Sequence, residues 1–390
     1  MKMKKTALLF LALTMASCAS IPPPDNPNIG ERLKLVEVKQ RLQSNQQGVN
    51  LIETNLSGLE LINMELSNAQ MASAYLYRAD LTGANLTGAD LRGADLSFAN
   101  LENANLKNAN LSGAKIRGAN LKNTNFTGAK LIDSNFEEAK MERTIFRNAD
   151  MSNANMEYTS IRESLFEGTH MQNVNMSGAV VDGADFKYAA IHQSELSKIQ
   201  FFNSRFQGAS LSNSNLTRSD FSNCILHDAD LSFTLASEVN FEKSDLQGAI
   251  FKNSDLQGAT FNRANMEYAN LTNAVFQEAQ MKQVNLNNAI LKDSSLNRSN
   301  LEESTFVNAT VTHTDFRNAN LYQASFFNAQ LEASNLEGAN LQEANLQGSD
   351  VNRTIFTKAN LEQANFMFVK NLDQAIGMNE AKNVDGARFK

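Results

Sequence analysis

Tryptophan is absent from this chain of 390 residues, and proline occurs four times, at Pro22, Pro23, Pro24 and Pro27. Beyond Pro27 nothing removes a backbone N–H from a hydrogen-bond ladder. Cysteine occurs twice, as Cys18 at the end of a leader and Cys224 far along the chain. That pair does not indicate a disulfide framework. The four histidines, His170, His192, His227 and His313, are joined by no cysteine and no convergent carboxylate, so no metal-ligand spacing is present. A nucleophile elbow, a P-loop and an HExxH helix are also missing. Basic charge is in deficit, with 35 Lys and Arg against 42 Asp and Glu. Cleavage before Cys18 would remove Lys2, Lys4 and Lys5 and leave 32 against 42, a net charge of −10. Such a surface lacks the cations that neutralise phosphates, which argues against general nucleic-acid binding. It does not exclude a protein that mimics nucleic-acid charge.

What the chain has instead is a five-residue period. In Ala84-Asn85-Leu86-Thr87-Gly88 followed by Ala89-Asp90-Leu91-Arg92-Gly93, the apolar centre returns every fifth residue. Sixty such centres run from Met71 to Phe366 without a slip of phase, and all but Ala236 are Leu, Ile, Val, Met or Phe. All fifteen glycines from Gly58 to Gly348 stand two positions after a centre. A repeat of this kind grows along one axis and needs no central core, so length alone says nothing here about domain number. Centres are already apolar at Leu51, Leu56, Leu61 and Leu66, but Leu59 and Met64 stand where Ala is later the rule. Residues 49–368 are read as the array, with 50–68 as imperfect first coils.

The N-terminal part divides into three. Residues 1–17 read as a secretory signal: Lys2, Lys4 and Lys5, then an apolar run from Thr6 to Met15 that is too short for the roughly 20 residues of a membrane span. Met15-Ala16-Ser17-Cys18 resembles the bacterial lipobox, with Met15 where Leu is usual. The resemblance implies lipidation of Cys18 and a stable anchor to a membrane through several acyl chains, each buried CH₂ contributing ~0.8 kcal/mol. Ala19 after the cysteine implies the outer membrane, where the cell has one. Residues 18–30 contain Ile21 to Pro27, a sequence that cannot form a helix or a sheet interior and reads as a semi-rigid tether. In residues 31–48, Leu35, Val38 and Leu42 share one helical face. This predicts a helical cap over the first coil, or alternatively a partner-binding helix.

From Ala69 the units run Ala/Ser/Thr, Asn/Asp, Leu/Phe and two polar residues, and here the chain resembles the pentapeptide-repeat family over about three quarters of its length. The resemblance implies an all-β fold, a right-handed quadrilateral β-helix with short helical caps, one unit to a side and four units to a coil. The residue chemistry agrees. The centre points inward, and the residue two before it also points inward near a corner where only a small side chain fits, as at Ala84, Ser134, Thr144 and Cys224. Gly or Asn two after the centre suits a turn position with positive φ. Fifteen coils at roughly 4.8 Å each would make a rod about 70 Å long. Residues twenty apart should stack, giving ladders of Phe126, Phe146, Phe166, Phe186 and Phe206 and of Phe201, Phe221, Phe241 and Phe261. At Leu235-Ala236 the apolar residue stands in the outward slot, which predicts a local bulge that turns Leu235 in. After Phe366 the phase is lost. Residues 369–390 read as a cap, with a short helix over Asn371 to Ile376 and a resumed five-residue spacing at Val384 and Phe389.

An array without insertions leaves no loop or cleft for an active site. The reading is therefore of no enzyme, with no catalytic residue, cofactor or metal. The places left for recognition are departures from the polar outward pattern. Ile145 and Leu165 should stack on one face, Leu235 is a third apolar residue, and Tyr75 and Tyr77 lie near the tethered end. Together these are the candidate interaction patch. The expected function is a membrane-tethered structural or protein-interaction rod of the bacterial envelope, facing the periplasm, with an unidentified envelope protein as partner and no direct nucleic acid. A homodimer through the C-terminal end is a sharper alternative to plain burial of the last coil; the family resemblance supplies it. The resemblance also implies a second reading, a DNA-mimicking protein that binds gyrase. The signal and Cys18 argue against it, and Lys115, Lys130, Lys140 and Arg205 interrupt its acidic surface. A carbohydrate-binding or enzymatic β-helix is the third.

Overall fold

The backbone winds one coil every twenty residues, because each outward residue before a centre pairs in parallel with the residue twenty further on, as in Asn85 with Asn105 and Asn105 with Asn125. This computed structural model describes residue 30, residues 32–44 and residues 48–389. The leader, Cys18 and the Pro-rich tether lie outside the described residues. Four sides make a coil. The first side carries centres such as Met71 and Leu91, the second Leu76 and Leu96, the third Leu81 and Leu101, and the fourth Leu86 and Leu106. These centres are fully buried, as are Ala84, Ala89 and Ala94 in the small corner slots. The core is thus one apolar column along the axis, each buried Leu or Phe contributing ~1.5–3 kcal/mol.

The corner is a turn closed by one hydrogen bond. Ala89 N donates to Leu86 O at 3.0 Å, and Gly88 between them has φ +66°. That is a type II turn, whose third residue needs positive φ. Many of the corner glycines have a second cause. The side chain one coil earlier lies across them. A Cβ on Gly178 would stand 2.7 Å from the Tyr158 ring, and one on Gly118 or Gly208 would stand 2.6 Å from Phe98 or Tyr188.

On the third side the corner changes over four coils. Here strands β1 (Lys140–Glu142), β2 (Ser160–Arg162), β3 (Val180–Asp182) and β4 (Gln200–Phe202) form a parallel sheet in the order β1-β2-β3-β4. Thr144 N donates to Ser164 Oγ at 3.1 Å, and Ser164 Oγ donates to Met141 O at 2.9 Å. At the first of these corners, hydroxyls across coils thus take up the N–H and the carbonyl that the turn bond joins elsewhere.

The expected ring ladders are present. Phe146 and Phe166 stack at 4.9 Å, Phe166 and Phe186 at 4.7 Å, and Phe201 and Phe221 at 4.6 Å. Edge-on contacts join the two ladders, as between Phe201 and Phe206 at 5.1 Å. The expected bulge is not there. Leu235 keeps its outward slot, paired with Asn215 and Asp255, and is 59 % exposed, while Ala236 points inward. The reason is the ladder itself: turning Leu235 in would break pairings on both neighbouring coils. Val239, buried in the next corner slot where Ala is usual, brings extra volume beside Ala236.

Both ends differ from the middle. Helix α1 (Leu35–Ser44) buries Val38 and packs Leu35 and Leu42 against the first coil. Lys34 N donates to Glu37 Oε2 at 2.6 Å, a side chain reaching back to the helix start. At the other end the period is six, not the resumed five expected at Val384 and Phe389. Asn371, Gly377 and Asn383 have positive φ, and each opens a 3-10 turn, over Leu372–Gln374, Met378–Glu380 and Val384–Gly386. Pairing drifts accordingly, from Asp350 with Lys370 to Ile355 with Ile376, Asn360 with Lys382 and Asn365 with Arg388. Each side of the last coil has gained one residue.

Candidate interaction surface

The outward surface starts from the Asn or Asp before each centre. Its Oδ1 accepts the N–H two residues on, as Asp80 does from Thr82 N at 3.0 Å. This side-chain turn fixes the entry to the corner. Where Asn repeats on one side, each Nδ2 also donates to the Oδ1 one coil earlier: Asn320 to Asn300 at 3.0 Å, Asn340 to Asn320 at 3.1 Å and Asn360 to Asn340 at 3.0 Å. The amides are saturated by one another, and such stretches are framework.

The sequence-predicted patch does not come together. Ile145 and Leu165 are paired on the fourth side and half-buried. Leu235 is on the second side, opposite them. Tyr75 and Tyr77 share the second side with Leu235 but lie eight coils away. Tyr77 is not surface at all, with 6 % exposure. It is held between Tyr75, stacked at 6.0 Å, and Phe98, edge-on at 5.8 Å. The Tyr75 hydroxyl is buried without a hydrogen-bond partner. Burial, and then the Asp95 carboxylate, raise this phenol above its ordinary pKa.

The strongest apolar concentration was only partly anticipated. Phe233 occupies the corner between the first and second sides with φ +59° and is 55 % exposed. Beside it stands Leu235; Val275 is exposed two coils on in the same column. Ile250 and Ile290, also two coils apart, lie on the first side of that corner, the former half-buried and the latter exposed. Together they make an apolar edge that protrudes from the rod. The signal in the sequence was an apolar residue recurring at an interval of forty in two outward columns, with an aromatic in a Gly or Asn slot.

His170 pairs with Asp150 along the first side, and His192 lies on that same side. Among the described residues no cluster of His, Cys, Asp and Glu could hold a metal. Cys224 is buried, donates to Phe201 O at 3.0 Å, and burial pushes its thiol up to about 12. A shallow notch of about 270 Å³ is lined by His227, Asp228, Gln247, Gly248 and Tyr268. His227 Nε2 lies 2.5 Å from Asp245 Oδ2, so the imidazole faces its own coil neighbour. Charges of opposite sign alternate along the rod, with pairs one coil apart at Arg218–Glu238, Lys282–Glu302 and Arg298–Glu278. The two arginine pairs are exposed and contribute little to stability, and Lys282–Glu302 is half-buried. Their mixture on one face is the opposite of a continuous acidic stripe. Among the described residues no helix is long and apolar enough to cross a membrane.

Comparison with known proteins agrees with this geometry. The family profile described as pentapeptide repeats matches residues 47–83, 84–123, 109–148, 119–157, 149–187 and 194–232. A second profile, described as pentapeptide repeat region, matches 237–306 and 279–356. No curated protein matches the chain. Among solved structures, HetL, a pentapeptide repeat protein involved in heterocyst differentiation regulation in the cyanobacterium Nostoc sp. strain PCC 7120, is 19 % identical over 91 % of this chain and 99 % of its own, with a TM-score of 0.18. A trypsin-treated variant of QnrB1, a plasmid-mediated fluoroquinolone resistance protein, is 18 % identical over 61 % of this chain and 89 % of its own, with a TM-score of 0.19. A pentapeptide repeat protein from the cyanobacterium Cyanothece 51142 is 28 % identical over 33 % of this chain and 85 % of its own, with a TM-score of 0.21. Superpositions at these scores carry no weight, and assignment rests on the sequence profiles and the coil itself.

Proposed function

The chain belongs to the pentapeptide-repeat family, and on that premise we propose a non-enzymatic rod of the bacterial cell envelope, tethered through lipid on Cys18 and binding a protein partner along its side. The observation that carries the reading is the apolar edge of Phe233, Leu235 and Val275, where exposed apolar side chains of two neighbouring columns gather, whereas Tyr158, Tyr188 and Tyr268 are exposed at other corners. Exposed apolar groups gathered on a rigid scaffold favour a protein contact. A protruding edge suits a partner that supplies the groove. The basic n-region, the short apolar run and Met15-Ala16-Ser17-Cys18 support the envelope. Photocrosslinking in cells from position 235 should capture one dominant protein, and Phe233→Asn with Leu235→Asn should abolish capture without loss of fold. Capture that survives both changes would refute this edge. Palmitate labelling lost in Cys18→Ala tests the anchor.

The C-terminal end favours a second contact, between two copies of the chain. Phe368 is 72 % exposed at the corner after the fourth side, Phe389 stacks on Phe366 at 5.2 Å on that side, and Ile376 is exposed across the coil on the second side. Sedimentation should give a dimer for the full chain and a monomer for Phe368→Asp. A monomer in both cases removes this reading.

A further inference from the structure

The chain enters the rod on its second side. Arg32 pairs in parallel with Asn55, Leu33 N donates to Asn55 O at 2.9 Å, and Asn55 Nδ2 donates to Gly30 O at 3.0 Å. Asn55 pairs in turn with Tyr75, one coil further along the same side. Tyr75 and Phe98 are both half-buried and both touch the closed-off Tyr77. They form two walls of a shallow aromatic groove, and Tyr77 is its floor. The Tyr75 hydroxyl is buried and has no hydrogen-bond partner. No other outward surface of the first coils is aromatic: the corresponding slots hold Asn, Asp, Ser, Thr and Glu for the most part.

We propose that Ile21 to Pro27 of the same chain dock on this groove, so that the tether leaves the rod from its flank and not from its end. Four observations support this occupant. Proline-rich segments are preformed as a three-residue helix, lose little entropy on docking, and lay their rings on aromatic side chains. Pro24 and Pro27 are three apart, so both fall on one face of that helix. Its carbonyls have no internal partner, and a rotation of the Tyr75 ring that uncovers its hydroxyl would let one of them accept it. Reach is sufficient. The six steps from Pro24 to Gly30 span about 19 Å at ~3.1 Å each, whereas the groove lies one to two coils from Asn55, roughly 5–10 Å. A cation is also at hand for Asp25, the segment's one charged residue: the Arg78 guanidinium stands 5.3 Å from the Tyr77 ring. The Asp95 carboxylate that acts on Tyr75 would repel Asp25, so the segment must bind with Asp25 toward Arg78, which fixes its direction.

The consequence for orientation rests on the lipid-anchor reading. Cys18 precedes Ile21 by three residues, so a docked segment would hold the acylated end beside the second side and tilt the rod toward the membrane.

The test uses the full chain with p-benzoylphenylalanine in place of Tyr75. After irradiation, digestion and mass spectrometry, the expected product is an adduct between position 75 and a peptide containing residues 21–27, formed within the monomer band. Pro22→Ser, Pro23→Ser and Pro24→Ser together should lower its yield about tenfold, equivalent to ~1.4 kcal/mol, with circular dichroism of the rod unchanged. Adducts confined to the neighbouring coils, adducts with another protein or with lipid, or a yield indifferent to the serines would each overturn the proposal. The mass of the N-terminal peptide in the same sample reports acylation. Acylation without the adduct sinks docking alone, and the adduct without acylation sinks the anchor alone.

Discussion

Two corner glycines with nearly the same backbone separate conformational strain from crowding. Gly113 has φ +70° and Gly178 has φ +72°. Around Gly113 an added Cβ meets nothing within 4 Å, whereas at Gly178 it meets two Tyr158 ring carbons at 2.7 Å. Alanine in the left-handed region costs about 1–2 kcal/mol, and the loss of unfolded-chain freedom offsets part of this equally at both sites. At Gly178 the ring must also retreat by about 1 Å to restore ordinary carbon contact. Swinging it off its rotamer adds ~0.5–1.5 kcal/mol. Gly178→Ala should therefore cost about 1 kcal/mol more than Gly113→Ala. In a Tyr158→Ala background the excess should vanish, a coupling of about 1 kcal/mol between two contacting residues. Urea unfolding followed by circular dichroism gives the totals, and native-state hydrogen exchange locates the loss at the affected corner. Equal costs at the two glycines, or a Gly178→Ala penalty untouched by Tyr158→Ala, would refute the claim that the side chain one coil earlier selects glycine.

Phe166 is buried between two stacked rings, so Phe166→Ala should cost ~3–5 kcal/mol. Phe166→Leu should cost less than about 1.5 kcal/mol, because Leu106 and Leu226 fill the same column elsewhere; thermal unfolding of the two variants checks the order. The Cys224 thiol titrates at about 12 when folded against 9.0 ordinarily. Its contribution is complete below pH 9 and is lost as pH rises toward 12, because the unfolded chain releases the proton first. Stability measured from pH 8 to 11 should fall less steeply in Cys224→Ala, and iodoacetamide should leave folded Cys224 unmodified.

The architecture was legible because one residue in five must face a dry axis and one in five must accept positive φ. Both demands act locally, so Leu86, Gly88 and Asn108 announce them without reference to the rest of the fold. The Phe ladders followed from counting by twenty. At Leu235 burial alone does not decide which way the side chain points. Its backbone is tied to Asn215 and Asp255, and that tie outweighs one exposed side chain. Tyr77 occupied an outward slot, yet its neighbours in space, Tyr75 and Phe98, are large enough to close over it. The final coil was legible in principle. Leu372, Met378 and Val384, with Ala375, Ala381 and Ala387, recur every six residues, but a search for fives passes over them. The hydroxyl ladder at Thr144 and Ser164 left no mark in the sequence, since Ser and Thr also fill corners that keep their turn bond, as at Thr124.

The four-sided coil has a consequence for how such a chain can change by gene duplication. Copying one five-residue unit keeps every downstream centre facing the axis, so the protein still buries what it must. Yet each residue after the insertion moves to the next side, and everything beyond it turns by a quarter. Placed after Asn155, such a copy would take Phe166 out from under Phe146 and would carry Phe233 and Leu235 around the rod relative to its N-terminal end. Copying four units leaves ladders and bearing intact and only adds length. Inheritance can thus redirect an apolar edge, or set it further from the N-terminal end, by choosing how many units to repeat, with no substitution at any residue of the edge.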